Sequence, residues 1–334
     1  MIAARRLIHH LLLLSCLTAA TLLLSGCEKA TPPSSSWESA VQGLYTASLS
    51  KDGQFGIVGS INHGASLWDM QSKERLYNWN HTKGEYTGIV AAAFSPEGKY
   101  AATASHRTIV LWKTSTGEPV WFWTAPGDIL SMALSPQGDY AVLGLADYSA
   151  VLFDVKNGGV KRVFNHNGKV RSVAMSEDAK FILSGSDDET AKLWDVQTGK
   201  LLHTWQHSNQ VITTTLSARG KYAFTAAQAD KAIIWNVETG EEVKAMPISK
   251  SSYIAGAAYT AARFSDDESR LLTGTNSQLV QLWNVETGEE IKRWQVTKKD
   301  KWKPSGATVL AVSFSNQPDR YYAIASNGLN HELN

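Results

Sequence analysis

Apolar and small or polar residues alternate along 170–176 (VRSVAMS), a period of two that predicts a short strand turning one face to a core. Three further short strands are predicted over 181–186, 190–196 and 201–205, each bounded by turn residues. Short polar turns separate them: Glu177-Asp178-Ala179-Lys180, then Asp187-Asp188-Glu189, then Gln197-Thr198-Gly199-Lys200, where Gly199 is free to take a positive φ. The stretch predicts a four-stranded antiparallel meander.

One such sheet is too small to bury both of its faces, so it needs neighbours of the same kind. The chain supplies them. Aligned on the first turn, seven copies begin at Leu49-Ser50, Phe94-Ser95, Leu134-Ser135, Met175-Ser176, Leu216-Ser217, Phe264-Ser265 and Phe314-Ser315. The third strand carries an aromatic at Trp68, Trp112, Phe153, Trp194, Trp235 and Trp283, usually followed by Asp or Asn. Eleven positions beyond each stands a second large residue, in order Trp79, Trp123, Phe164, Trp205, Met246 and Trp294.

These motifs resemble the WD40 repeat family, whose repeats of about 40 to 45 residues fold as four-stranded propeller blades. The resemblance covers nearly everything after Ser36 and implies an all-β, seven-bladed WD40-like β-propeller. Near the C-terminus, 309–314, 321–326 and 328–333 supply only three strands before the sequence stops. The strand-like piece 37–41 (WESAV) is therefore expected to become the outermost strand of the final blade, pairing near 329–333 and removing an exposed sheet edge.

With 334 residues, one repeat array accounts for almost the whole chain without a second domain. Formal net charge is +1, or about −1 without Arg5 and Arg6, and neither value suggests a nucleic-acid partner. The N-terminus changes the picture more. Arg5-Arg6 precedes an apolar run over 7–24, broken by His9 and His10, which ends Leu24-Ser25-Gly26-Cys27. A positive n-region, an apolar h-region and small residues before a cut site read as a secretory signal, whereas an uncleaved membrane helix fits poorly with a short, interrupted run.

The tetrad resembles a bacterial lipobox, which implies cleavage before Cys27 and lipidation of its thiol. The expected domains are a signal peptide over 1–26, a lipid-anchored flexible tether over 27–36 and the propeller over 37–334. Glu28, not Asp, follows the cysteine, which the resemblance reads as outer membrane with the propeller facing the periplasm. Cys16 lies in the signal and Cys27 would carry lipid, leaving no thiol in the mature fold for a disulfide or a thiolate metal site.

In WD40 proteins a His before the blade, a Ser or Thr on the second strand, an Asp in the next turn and the Trp of the third strand form a buried hydrogen-bonded set. The resemblance places His166, Ser184, Asp188 and Trp194 in it. His207, Thr225 and Trp235 match too, with Ala229 where the Asp belongs. Ser, His and Asp together also invite a catalytic triad, but the indole N–H closes the set structurally and nothing signals an oxyanion site, so no catalytic residue is assigned. Asp195-Val196-Gln197-Thr198-Gly199 and its two later copies resemble quinoprotein-like repeats. The preceding aromatic and a later Trp set six residues beyond Gly199 and Gly288 count against that family. No cofactor is expected. The histidines are scattered, with no metal-ligand spacing.

Insertions over 80–88, 249–260 and 297–307 fall between the fourth strand of one blade and the first of the next, at the end that also carries the turns between second and third strands. Aromatic and cationic residues there are the candidate partner-binding set: Tyr86, His106, Arg107, Tyr148, Asp187, Tyr253, Tyr259, Lys301, Trp302 and Lys303. The expected role is a non-enzymatic scaffold at the bacterial envelope, holding an unidentified protein partner. Two alternatives are a ligand-binding or enzymatic propeller using the central channel, and a binder of peptidoglycan or lipopolysaccharide through Lys298, Lys299, Lys301, Trp302 and Lys303.

Overall fold

Seven four-stranded antiparallel sheets, six of them meanders of consecutive strands, are arranged in a ring. The computed structural model describes residues 30–82, 84–247, 257–299 and 306–334, and within it residues 32–334 form one compact unit. The expected signal peptide and Cys27 lie outside the described residues. We number the blades in chain order, 44–79, 91–124, 129–165, 170–206, 211–246, 259–295 and 309–333, and letter their strands a to d. Strand a of each blade lies beside strand a of the next, blade 7 returning to blade 1, so these strands wall a central channel.

The repeated Ser of the first turn has a mechanical reason. Its hydroxyl accepts the N–H of the residue five positions on, as Ser50 does from Phe55, Ser95 from Tyr100, Ser135 from Tyr140, Ser176 from Phe181, Ser217 from Tyr222 and Ser265 from Arg270. This closes the a–b turn. The turn also needs a positive φ, which glycine gives without steric cost at Gly53, Gly98, Gly138 and Gly220, while Ala179, Glu268 and Asp319 adopt it in blades 4, 6 and 7.

The paired large residues are wedges between blades. Each strand-d residue of the series packs on the blade that follows. Trp79 stacks on Trp112 (5.3 Å, 9°), Phe164 meets Trp194 (5.3 Å), Trp205 stacks on Trp235 (4.9 Å, 11°) and Trp294 meets Tyr321 (5.2 Å). The indole N–H groups also cross the interface, Trp79 to the Gly117 carbonyl, Trp123 to Val155, Trp205 to Gly240 and Trp294 to Asn334. Burying each such ring contributes on the order of 1.5–3 kcal/mol. Nearer the channel, hydroxyls lace strand a to its neighbour: Ser131 accepts the N–H of Val173, Ser172 that of Thr214, and Thr213, Thr260 and Ser313 donate to the carbonyls of Tyr259, Val309 and Ser50.

Blade 7 closes as the sequence predicts. The strand Ser35–Glu38 pairs antiparallel with Leu329–Leu333, giving a sheet whose outermost strand comes from the other end of the chain. The strand begins at Ser35, two residues earlier than expected, because Ser34 already donates its N–H to the Glu332 carbonyl. The last residues assigned to the tether thus belong to the sheet.

This strand also brings a seventh wedge. In six blades the large strand-d residue pairs with Ala65, Ile109, Ala150, Ala191, Ala232 or Val280 of strand c. In blade 7 the same ladder position pairs Trp37 with Asn330. Trp37 packs with Trp68 on the core shared by blades 7 and 1, under the Lys73 ammonium at 5.1 Å.

Candidate functional site

The b–c turns and the d–a connections meet at one end of the ring, where backbone bonds tie them together: Ile129 N–H to the His106 carbonyl, His166 N–H to Tyr148, Asp187 N–H to Lys169. The a–b turns occupy the opposite end.

The His-containing set of blade 4 assembles with a consistent donor order. Trp194 Nε1–H donates to Ser184 Oγ (2.9 Å), the Ser184 hydroxyl contacts His166 Nε2 (2.8 Å), and His166 Nδ1 contacts an Asp188 oxygen (3.0 Å). Burial pushes the His166 imidazole below its ordinary value, against the pull of Asp188, so it is neutral and its Nδ1–H donates to the carboxylate. Burial alone would raise Asp188. The Thr190 hydroxyl, the N–H groups of Asn167 and Thr190, and His166 outweigh it and hold the carboxyl at about 2. Ser184 and the His166 side chain are fully buried, so this serine is not presented to a substrate.

Two further sets extend the pattern. In blade 2, His81 lies between Thr103 (2.9 Å) and Thr108 (2.8 Å), and Trp112 donates to Thr103, so a threonine stands where blade 4 has Asp188. Sequence matching that required an Asp missed it. In blade 5, His207 contacts Thr225 and Trp235 donates to the same hydroxyl. Ala229 takes a positive φ of 53° there, and Asp230, one position later, stands 3.8 Å from His207. The acid displaced from the motif is thus partly restored in space.

The partner-binding candidates divide. Tyr86 and Tyr148 are well exposed at the b–c end, Tyr86 resting edge-on against His63 at 5.4 Å. His106 and Arg107 are exposed beside them in chain order, Arg107 reaching Asp128 at 3.6 Å and the Pro126 carbonyl. Asp187 is held in a two-point pair with Arg171, both contacts 2.8 Å, and is largely covered. Tyr259 is a correction. Only 1% exposed, it opens strand a of blade 6, the ladder position filled by Leu44, Ile129, Val170, Val211 and Val309 elsewhere, and its hydroxyl donates to the Pro247 carbonyl. It is a core residue, not a loop residue. Tyr253, Lys301, Trp302 and Lys303 lie outside the described residues. Lys299, a candidate for polymer binding, instead holds the closing segment through Glu38 and the Ala40 and Val41 carbonyls.

Three residues absent from the expected set join this end: Val41 and Tyr45, which flank the entry to blade 1, and Ile61 in its b–c turn, all exposed. Their signal was their position, since each sits at a d–a connection, a strand-a start or a b–c turn. At the other end, Lys51 reaches across the ring from blade 1 to Glu177 of blade 4 (2.7 Å) and to Asp266 of blade 6 (3.1 Å), bridging the channel.

A family model for the WD domain, G-beta repeat, matches residues 76–113 and 158–195. Each matched window runs from strand d of one blade through strand c of the next, and together they hold the His81 and His166 sets complete. That one-strand offset is why the last blade must borrow its strand d from the N-terminal side. No curated protein matches the chain's sequence.

Proposed function

Because the chain is a WD40-repeat β-propeller, we propose that it is a non-enzymatic protein-interaction scaffold that docks its partner at the end carrying the b–c turns. One observation supports that end over the other. Among the described residues, the exposed large apolar side chains off the strand-d rim are Val41, Tyr45, Ile61, Tyr86 and Tyr148 at the b–c end, against Tyr140 alone at the a–b end. Around blade 1 the Ile61 N–H donates to the Gly43 carbonyl at 3.3 Å, tying the b–c turn to the entry segment, and His63 touches Tyr86. Exposed aromatic and aliphatic side chains on a rigid frame are what protein partners bury.

A photo-crosslinking residue placed at Tyr45 or Tyr86 should give discrete adducts in cells, and the same residue at Tyr140 should give none. Adducts only from Tyr140, or equally from both ends, would remove this reading.

We propose further that the scaffold is held at the bacterial envelope by lipid on Cys27. The support is sequence alone: Leu24-Ser25-Gly26-Cys27 after an apolar run. Confinement to a surface raises the effective concentration of scaffold and partner for each other. Cys27→Ser should abolish incorporation of labelled fatty acid and shift the protein out of the membrane fraction. Undiminished labelling in that variant would exclude the anchor.

A further inference from the structure

The residue two places before the repeated Ser occupies one ladder position in all seven blades. Six blades put Ser48, Ala93, Ala133, Ala174, Thr215 and Ser313 there, and blade 6 puts Arg263. A long cation stands in a ring of small residues.

Arg263 extends past blade 7 and donates from Nη2 to the Leu49 carbonyl of blade 1 at 3.0 Å. No ion-pair contact forms at its guanidinium among the described residues. Glu177, Asp266 and Asp52 act on it only through space, and the first two already hold Lys51. Arg263 is half-buried and lines the channel, and this partial burial pushes the guanidinium below its ordinary value despite those acids. With no contacting counter-ion its remaining donors face the channel, and their planar fork matches a carboxylate or phosphate.

Space is available beside it. Two parts of the channel, about 280 Å³ and about 230 Å³, meet at Ser48, Thr214, Ala262 and Arg263. The larger part is also lined by Ser131 and Ser172 but by neither Lys51 nor Glu177. Ser131 Oγ accepts the Val173 N–H, which leaves its own proton to donate. Repulsion from Glu177 and Asp266 disfavours an anion on the a–b side, so the larger part is the seat. Its volume suits a small anion, below the roughly 300–1,000 Å³ of pockets for larger ligands.

We propose that the central channel binds a small oxyanion, a carboxylate or phosphate, on the guanidinium of Arg263, with channel hydroxyls as further donors. The oxyanion comes either free from solution or as an acidic side chain that a docked partner inserts.

The test titrates the full chain with phosphate, succinate and a tri-glutamate peptide at fixed ionic strength, comparing wild type, Arg263→Gln and Arg263→Lys by calorimetry. Millimolar binding that weakens about tenfold or more in Arg263→Gln, with Arg263→Lys between the two, is expected. Loss confined to phosphate or succinate assigns a free anion, and loss confined to the peptide assigns a partner's carboxylate. Equal binding by wild type and Arg263→Gln overturns the proposal. Should Arg263→Gln fail to fold, the wild type decides: saturating oxyanion must raise its melting midpoint by a few degrees over matched chloride, and an unchanged midpoint with all three probes overturns the proposal.

Discussion

Deleting residues 329–334 should abolish cooperative melting of the whole propeller, not merely loosen its seventh blade. The segment is strand c of blade 7, paired on one side with Tyr321–Ala325 and on the other with Ser35–Glu38. Its loss leaves the N-terminal strand without a partner and so withdraws Trp37 from the blade 7–blade 1 interface. It also removes Leu333, fully buried in the cluster that holds Trp294, and the Asn334 carbonyl that takes the Trp294 indole N–H. Two interfaces therefore open at once. With each large apolar side chain contributing on the order of 1.5–3 kcal/mol, the loss rivals the roughly 5–15 kcal/mol by which native domains are stable. Deleting 1–33, which stops short of the closing strand, should shift stability by no more than about 0.5 kcal/mol. Thermal melting followed by circular dichroism distinguishes the two. A truncated chain with an unchanged, cooperative transition would mean that the ring does not depend on its seam.

Most of this architecture was legible because it repeats. The Leu/Phe-Ser turn, the strand-c aromatic and the large residue eleven positions later recur with fixed spacing, and each corresponds to a physical need: a hydroxyl-closed turn, a strand facing the next blade, and a wedge filling the gap. What escaped was whatever departs from the repeat. Trp37 stands before the first complete motif, and its ladder partner Asn330 lies at the far end of the chain, so local spacing could not identify it as the seventh wedge. Tyr259 follows an insertion and was counted with it, although strand a already begins there, and that first position is buried in the other blades with a paired residue there. The blade 2 hydrogen-bonded set was hidden because Thr108 replaces the acid. Arg263 was visible in the alignment, two residues before Ser265, but only the pairing register shows that its counterparts are all small. The sequence placed Tyr86 and Tyr148 on the end of the ring where they lie exposed, yet gave no means of telling exposed Val41 or Tyr45 from core.

Acidification from pH 7.5 to pH 5 should destabilise the fold well before its carboxylates titrate, through histidines buried without charge. Burial pushes His331 and His81 down to about 4, and pushes His166 and His207 down as well. The sign follows from linkage. Each imidazole has a folded value below its unfolded value near 6.5, so above that pH both states are neutral and nothing depends on it. As pH falls from about 6.5 toward 4 the unfolded chain takes up protons that the folded chain refuses, and stability drops until the folded value is passed. For His331 alone this is on the order of 2 kcal/mol by pH 5. Asp188 and Asp267, held at about 2, lose their stabilising contribution only as pH falls below the ordinary carboxylate range, so they do not set the slope in this window. His331 is the informative position. It lies in the closing sheet opposite Ser36, whose hydroxyl contacts its Nδ1 at 2.8 Å, while its Nε2 is buried with no protein partner. Blades 2 and 3 place Val110 and Val151 at the equivalent ladder position, so His331→Val should fit the seam and remove that share of the acid sensitivity. Chemical denaturation at pH 7.5 and pH 5 measures both effects. A wild-type midpoint that does not move, or a pH dependence unchanged by His331→Val, would show that the closing strand is insensitive to protons and that its buried imidazole is better solvated than its surroundings imply.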